Sequence, residues 1–533
     1  MSPDSTSVAR TRSDPLYSAL QERVLDRDQK GASEVYYKLV KSGRPLPEML
    51  REAVRIHAPY THVPYHERID DGYVNFVNND HCLLSARASL HLSKMVPAEA
   101  AGLPMAQTIW YIPTGLDIWN QKIGKAPGHY SRAMKVEGTP PAPVVHWPDQ
   151  EPLTLDGPLK ERLGRWMTLV HRGQVVDAYR VFLGLMANPA ERRAALAELA
   201  FAGLIDVQDR AFQNRSYTTG HKSFRARATV ELGEAIGWDL AHDVLYAGAL
   251  DIAVGPRWYS LYEAASNAVM VFLEGQTLHA VPYGGTTEGE RAILADNKAP
   301  LDKAESDALL DVILHQPEPG YFHQVTALLK AGKDPRAILD AIQVGAADNV
   351  LGTHGELNFS LSQHCYEYCN TLGWFWDTFD HPQRIKLLYL AAAYLNQSAN
   401  HQRLIGDLLP PRLEKPANVH GLDAGRMAAA VEAATIALDA PKAVGWTQAY
   451  LDAGHDTAPL VQALAMACSR LGNDPHNQEI ALCLLEDYGK NRSADRGRLL
   501  LAAAQHTARH RKYGDPLDCS RRFGRALGVA ALH

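Results

Sequence analysis

The chain has 533 residues, 46% hydrophobic and 21% charged, ordinary globular composition with ample apolar content for a sizeable core. A formal charge of −6 and an isoelectric point near 6.4 argue against a nucleic-acid footprint. No uninterrupted apolar run reaches the roughly 18 residues of a membrane span, so no transmembrane helix is expected.

Residues 1–14 are polar, read as a disordered lead, and carry no apolar stretch of a signal peptide. The six cysteines show no CxxC spacing and fit a reducing compartment, so the expected location is cytoplasmic. Residues 15–152 read as an N-terminal helical and loop-rich region. Within it, HAPYTHVPYHERIDDGYVNFV looks extended, with a short hairpin as an option, and Asn78, Asn79 and Asp80 offer an N-cap for the helix HCLLSARASLHLSKM. Gln107 to Gln150 is punctuated by Pro and Gly and reads as loop that wraps a core or covers a site.

From Leu153 onward helical period dominates, in a first unit over 153–290 and a second over 291–400. An Ala/Leu-rich helical region over 401–533 follows and is expected to brace the rest. The expected fold is all-α, either a multi-helix bundle or a helical-repeat-like array. His221 to His364 and Leu245 to Leu388 are each 143 residues apart, which raises a tandem duplication of the two units.

Histidines are abundant, 23 in all, and their placement is more informative than their number. His81 shares a helical stripe with Leu84, Ala88, Leu92 and Met95, whereas His91 is rotated about 80° away. His221 leads Phe224, Ala228, Leu232 and Ile236; His242 goes with Trp238, Leu245, Ala249 and Ile252. His364 goes with Leu361, Tyr368, Leu372 and Phe375. Four inward imidazoles on four helices are a donor set for a first-row metal; the alternative for each one is a core histidine bonded to a carbonyl. Lys386, in the nearly all-apolar RIKLLYLAAAYLN, is either a snorkelling side chain or a desolvated amine. Asp243 and Asp251 pose the same question in the companion segment.

His57, His62 and His66 form a loop cluster, more in keeping with exposed or tyrosine-packed rings than with ligands. His506 and His510 are four apart beside Arg and Lys and read as a solvated face. No Walker A loop, Rossmann glycine set, GxSxG elbow or EF-hand is present, which argues against nucleotide, NAD and serine-hydrolase chemistry.

Three segments, in order, resemble the questin-oxidase-like family of helical oxygenases: FVNNDHCLLSARASL, GHKSFRARATVEL and FSLSQHCYEYCNTL. The resemblance implies an all-α fold and oxidative chemistry on aromatic or polycyclic compounds. It also implies a non-haem iron held by several histidines and a carboxylated lysine. His81, His221 and His364 are the ligand positions it carries over, with Lys386 as the lysine. Asp80 stands between Asn79 and His81, where the family has Asn-His.

The functional expectation is a metal-dependent oxygenase, with iron (Fe2+) as cofactor and a hydrophobic or aromatic small molecule plus dioxygen as reactants. The expected metal residues are His81, His221, His364, His242 and Lys386, with Tyr368, Trp374, Phe375 and Trp376 shaping a pocket for a flat substrate. Two alternatives stand beside it: a non-enzymatic α-helical scaffold, and a helical haem or tetrapyrrole-binding enzyme with His364 as axial ligand.

Overall fold

Helix ends along this chain are fixed by local chemistry. Asp14, Asp28, Asp334, Asp423 and Asp439 each accept a backbone N–H of the first turn. Thr287 with Glu290, and Asp302 with Glu305, close reciprocal capping boxes. A computed structural model describes residues 14–57, 77–118, 129–131, 144–146, 150–172, 174–207, 219–240, 261–276, 285–355, 361–472, 474–509 and 514–532.

In order the helices are α1 (Pro15–Leu25), α2 (Gln29–Lys41), α3 (Leu46–His57), α4 (Val77–Leu92), α5 (Leu103–Ile118), α6 (Leu159–His171), α7 (Val175–Ala187), α8 (Arg192–Leu204), α9 (His221–Ile236), α10 (Leu261–Ala268) and α11 (Glu288–Asp296). Then come α12 (Lys303–His315), α13 (Gly320–Lys330), α14 (Pro335–Leu351), α15 (Leu361–Thr378), α16 (Arg384–Leu404), α17 (Ala424–Ile436), α18 (Ala440–Asp452), α19 (Ala458–Arg470), α20 (His476–Lys490), α21 (Gly497–Arg509) and α22 (Asp518–Leu527). The all-α expectation holds, relieved among the described residues by one antiparallel ribbon that pairs His129–Ser131 with Val144–His146.

Two boundaries differ from the sequence reading. The supposed loop from Gln107 is helical to Ile118, in α5, because MAQTIWYI is a largely apolar stretch that buries itself despite Pro113. Helix α4 begins at Val77, so Asn78 to Asp80 lie inside it rather than capping it. The segment read as a hairpin falls on residues 57–77, most of them outside the described ones.

Four helices, α4, α9, α15 and α20, form a closed ring in which each packs on the next and α20 returns to α4. Contacts at two levels show that all four run in the same direction. His81 meets His221 at the start of α4 and α9, and ten residues on His91 meets Glu231. His221 meets His364, and six residues on Arg227 bonds Asn370 at 2.5 Å. Parallel neighbours cannot be joined by short turns, so the remaining helices serve as crossovers and outer wall. One helix of the ring comes from each of the four segments 15–152, 153–290, 291–400 and 401–533. The C-terminal region therefore contributes to the centre as well as bracing it.

Two glycines place the start of α9. Gly220 has φ +111°, a left-handed conformation that turns the chain into the helix directly before His221. Gly203 on α8 lies so close to α9 that a Cβ there would sit 2.8 Å from the Lys222 carbonyl oxygen. Backbone-to-backbone contact thus fixes the depth of His221.

On the outside of the ring, α3 ends in His57, which is 1% exposed, and burial pushes its pKa down to about 3. The unfolded chain therefore binds more protons than the folded one between about pH 3 and 6.5, and stability is lost as pH falls through that window. His57→Leu is expected to flatten the decline in melting temperature from pH 6.5 to 4. An unchanged slope would show that His57 does not govern it.

Candidate functional site

At the N-terminal end of the ring each helix presents one histidine: His81 from α4, His221 from α9, His364 from α15 and His476 from α20. All four are at most 3% exposed. Ring centroids are 4.0 Å apart for His81–His476, 4.9 Å for His221–His364, 5.3 Å for His81–His221 and 5.7 Å for His364–His476. The imidazoles thus close a square at the top of the bundle.

Three of them are held by an oxygen at Nδ1. Glu479 Oε2 lies 2.6 Å from His81, Asp474 Oδ1 2.8 Å from His476 and Thr219 Oγ1 3.0 Å from His221. Such bonds fix ring orientation and, where Nδ1 donates, direct the Nε2 lone pair inward. The Nε2 atoms of His81 and His221 face each other at 3.4 Å. At that separation one ring's N–H can donate to the other's nitrogen. Two imidazoles on one ion, each about 2.1 Å from it, would be about 3.0–3.4 Å apart at angles of 90–109°.

The electrostatics keep the His81 ring neutral. Burial, and then the neighbouring His476, His221 and His364, hold the His81 pKa well below its ordinary value. Neutral imidazole is the form that ligates a metal. One turn down the ring lie two buried carboxyls, Glu367 on α15 and Glu479 on α20. Burial pushes Glu367 up to about 7, against the pull of His476, Arg87 and Arg227. Burial, then Glu367 and Asp474, raise Glu479 well above its ordinary value.

Deeper still, Arg87 and Arg227 share Glu231 and Glu486. Arg87 Nε–Glu231 is 2.6 Å, Arg227 Nε–Glu231 3.1 Å, and both guanidiniums reach Glu486 at 2.9 Å. The bundle core is thus layered as imidazole, carboxyl, guanidinium and carboxylate. Each layer repeats a sequence spacing: His-x5-Arg on α4 and α9, and His-x2-Glu on α15 and α20.

Imidazole is a donor that transition ions take, but these atoms do not surround one point. Among the described residues no group of three or more His, Cys, Asp or Glu stands ready to hold a metal. The His81 and His221 Nε2 atoms are at ligating separation.

Of the predicted residues, His81, His221 and His364 come together as expected. His242 lies outside the described residues, as do Asp243, Asp251, His62 and His66. Lys386 is a correction. Its Nζ sits 3.5 Å from Glu290 and donates to the Gly285 carbonyl; burial, then partly Glu290, sets its pKa below the ordinary value. The same helix meets the His221 segment at Tyr394, whose hydroxyl donates to the Thr219 carbonyl; that is eight residues, or about 12 Å, further on.

The aromatic pocket is also corrected. Trp374 and Phe375 pack with Phe379, Phe375 also meets Phe201, and Trp376 lies under Arg384, all at least ten residues along α15 from His364. Tyr368 donates to the Leu204 carbonyl. These rings are core packing, and the ring that faces the imidazoles is Phe224, 5.5 Å from His221.

His506 is buried at 2%, not on a solvated face, and its Nε2 lies 3.0 Å from the His476 carbonyl. A surface cleft of about 140 Å³ beside Asp334 and Arg492 is remote from this cluster and lined by ions paired with each other.

Comparison with family models, curated proteins and solved structures returned no match. Among the described residues no helix is long and apolar enough to cross a membrane.

Proposed function

We propose that this protein is a metal-dependent oxygenase, with a non-haem iron(II) ion held by His81, His221, His364 and His476. Its substrate is a hydrophobic or aromatic small molecule. The observation that carries the reading is the meeting of four buried imidazoles from four parallel helices, three of them tethered at Nδ1. Burying one histidine has many solutions; burying four in mutual contact, on four separate helices, is most economically explained by a shared ligand.

A ferrous ion, when bound, supplies the dioxygen chemistry that no side chain of this chain can perform. The chain's own residues have distinct tasks. Glu479, Asp474 and Thr219 orient the rings, and the buried helices exclude bulk water. Phe224 gives the site an apolar wall, in keeping with the substrate class implied by the questin-oxidase-like resemblance.

Iron content and the visible spectrum of protein purified without chelators test the proposal. About one equivalent of iron per chain with no Soret band is expected. A Soret band would favour the tetrapyrrole alternative. A metal-free protein that takes up no iron on anaerobic reconstitution would favour the scaffold.

A further inference from the structure

Apolar side chains scattered singly over a surface need no explanation, but here they are concentrated. Among the described residues the exposed large apolar side chains are Leu25 and six others: Leu404, Ile405, Leu409, Leu413, Val419 and Leu438. All six fall on the end of α16, the connection 405–423 and the turn after α17. That connection is far longer than the roughly 2–8 residues that usually join helices. Leu404 is 83% and Ile405 53% exposed, side by side.

The patch is held in place by backbone bonds. The N–H groups of Asp407 and Leu408 both return to the Gln402 carbonyl; Leu409 N–H donates to Gly352, His354 N–H to Asp407, and Glu414 N–H to Pro441. From Leu404 to Leu413 the chain spans at most about 32 Å even when fully extended, and these bonds shorten it. The Glu414–Pro441 bond sets Leu413 near the turn that holds Leu438. Leu438 has φ +58°, a left-handed conformation that suits glycine at a helix end, and its side chain is 42% exposed. Within one chain that leucine strains the backbone while leaving much of its side chain in water.

Size and charge select the occupant. The six side chains expose on the order of 500 Å², within the range of about 300–600 Å² at which the largest patch on a chain is often functional. A stable interface takes about 800 Å² from each partner, and between identical chains about 65% of it is apolar. The patch supplies that apolar share. Around it Arg403, Arg412 and Lys415 interleave with Asp407 and Glu414, a rim of both signs. Such a rim complements itself across a twofold axis, whereas an anionic lipid surface selects a cationic one. We infer that this face, centred on Leu404, Ile405, Leu409 and Leu413, is where two copies of the chain associate as a symmetric dimer.

Sedimentation of the full chain from about 1 to 100 μM is the test. Wild type is expected at twice the chain mass of 58.6 kDa. Leu404→Glu combined with Ile405→Glu should raise the dimer dissociation constant at least about 100-fold, because it places unpaired charges in the interface. Leu438→Gly should raise it about 10-fold while its monomer melts no lower than the wild-type monomer, since the left-handed turn is relieved. Leu25→Gln, on a separate part of the surface, should leave the dimer unchanged. A wild type that stays monomeric over this range would overturn the inference; binding of that monomer to phosphatidylserine–phosphatidylcholine vesicles, lost in the double variant, would assign the face to lipid instead. A dimer left intact by Leu404→Glu with Ile405→Glu would also overturn it. If that double variant does not fold, Leu413→Glu is read by the same criterion.

Discussion

Arg87→Ala is expected to destabilise the folded chain by about 3–5 kcal/mol, the cost of leaving buried carboxylates without their counter-ion. Arg87 is 4% exposed and spans Glu231 and Glu486, whose side chains are 13% and 9% exposed. Burial alone would raise both carboxyls. Arg227 and Arg87 together reverse this and hold Glu231 well below, and Glu486 below, the ordinary carboxylate range. With Arg87 removed, one guanidinium and the half-buried His91 must serve two carboxylates.

The expected result is a clear drop in melting temperature at pH 8. The drop should narrow toward pH 5, because the less compensated carboxyls can then take up a proton. Arg87→Met combined with Glu231→Gln should recover much of the loss. A melting temperature within about 1 °C of wild type for Arg87→Ala would mean that the layer does not bind the four helices together.

Much of the fold was legible because helical period is a local property. The inward stripes of His81, His221 and His364 each include enough Leu, Ala and Phe for the buried side to be read directly. His476 was missed for a physical reason. It opens α20 directly after Asp474 and Pro475, and on the same side follow Glu479, Cys483 and Glu486, the last with a side chain 9% exposed. Glutamates at that spacing look like a solvated face. Only the partner charges Arg87 and Arg227, hundreds of residues away, make burial affordable.

The repeated spacings were the available signal: His-x2-Glu at 364 and 476, and His-x5-Arg at 81 and 221. Lys386 misled in the opposite way. Its helix is apolar on nearly every face, and the local answer, Glu290, lies far off in sequence. Around Gln107, Pro113 and Gly115 drew attention from an apolar run long enough to make a buried helix.

The second large effect is expected at His476, the fourth imidazole of the cluster, which the sequence did not reveal. His476 is 4.0 Å, centroid to centroid, from His81 and is anchored by Asp474. His476→Ala removes one donor and leaves Asp474 buried without it, so iron affinity should fall at least about 100-fold, the upper end of what even outer-shell changes cause. His381 makes the control: it is buried at 4%, stacks on Phe201 at 4.1 Å and lies near Glu198, away from the cluster.

The most direct measurement is therefore iron per chain, after anaerobic reconstitution at one fixed free iron(II) concentration, for His81→Ala, His221→Ala, His364→Ala, His476→Ala and His381→Ala. Each of the first four should retain less than about a tenth of the wild-type iron, and His381→Ala should retain nearly all of it. Full iron in His476→Ala, or an equal loss in His381→Ala, would contradict a metal centre built from these four imidazoles.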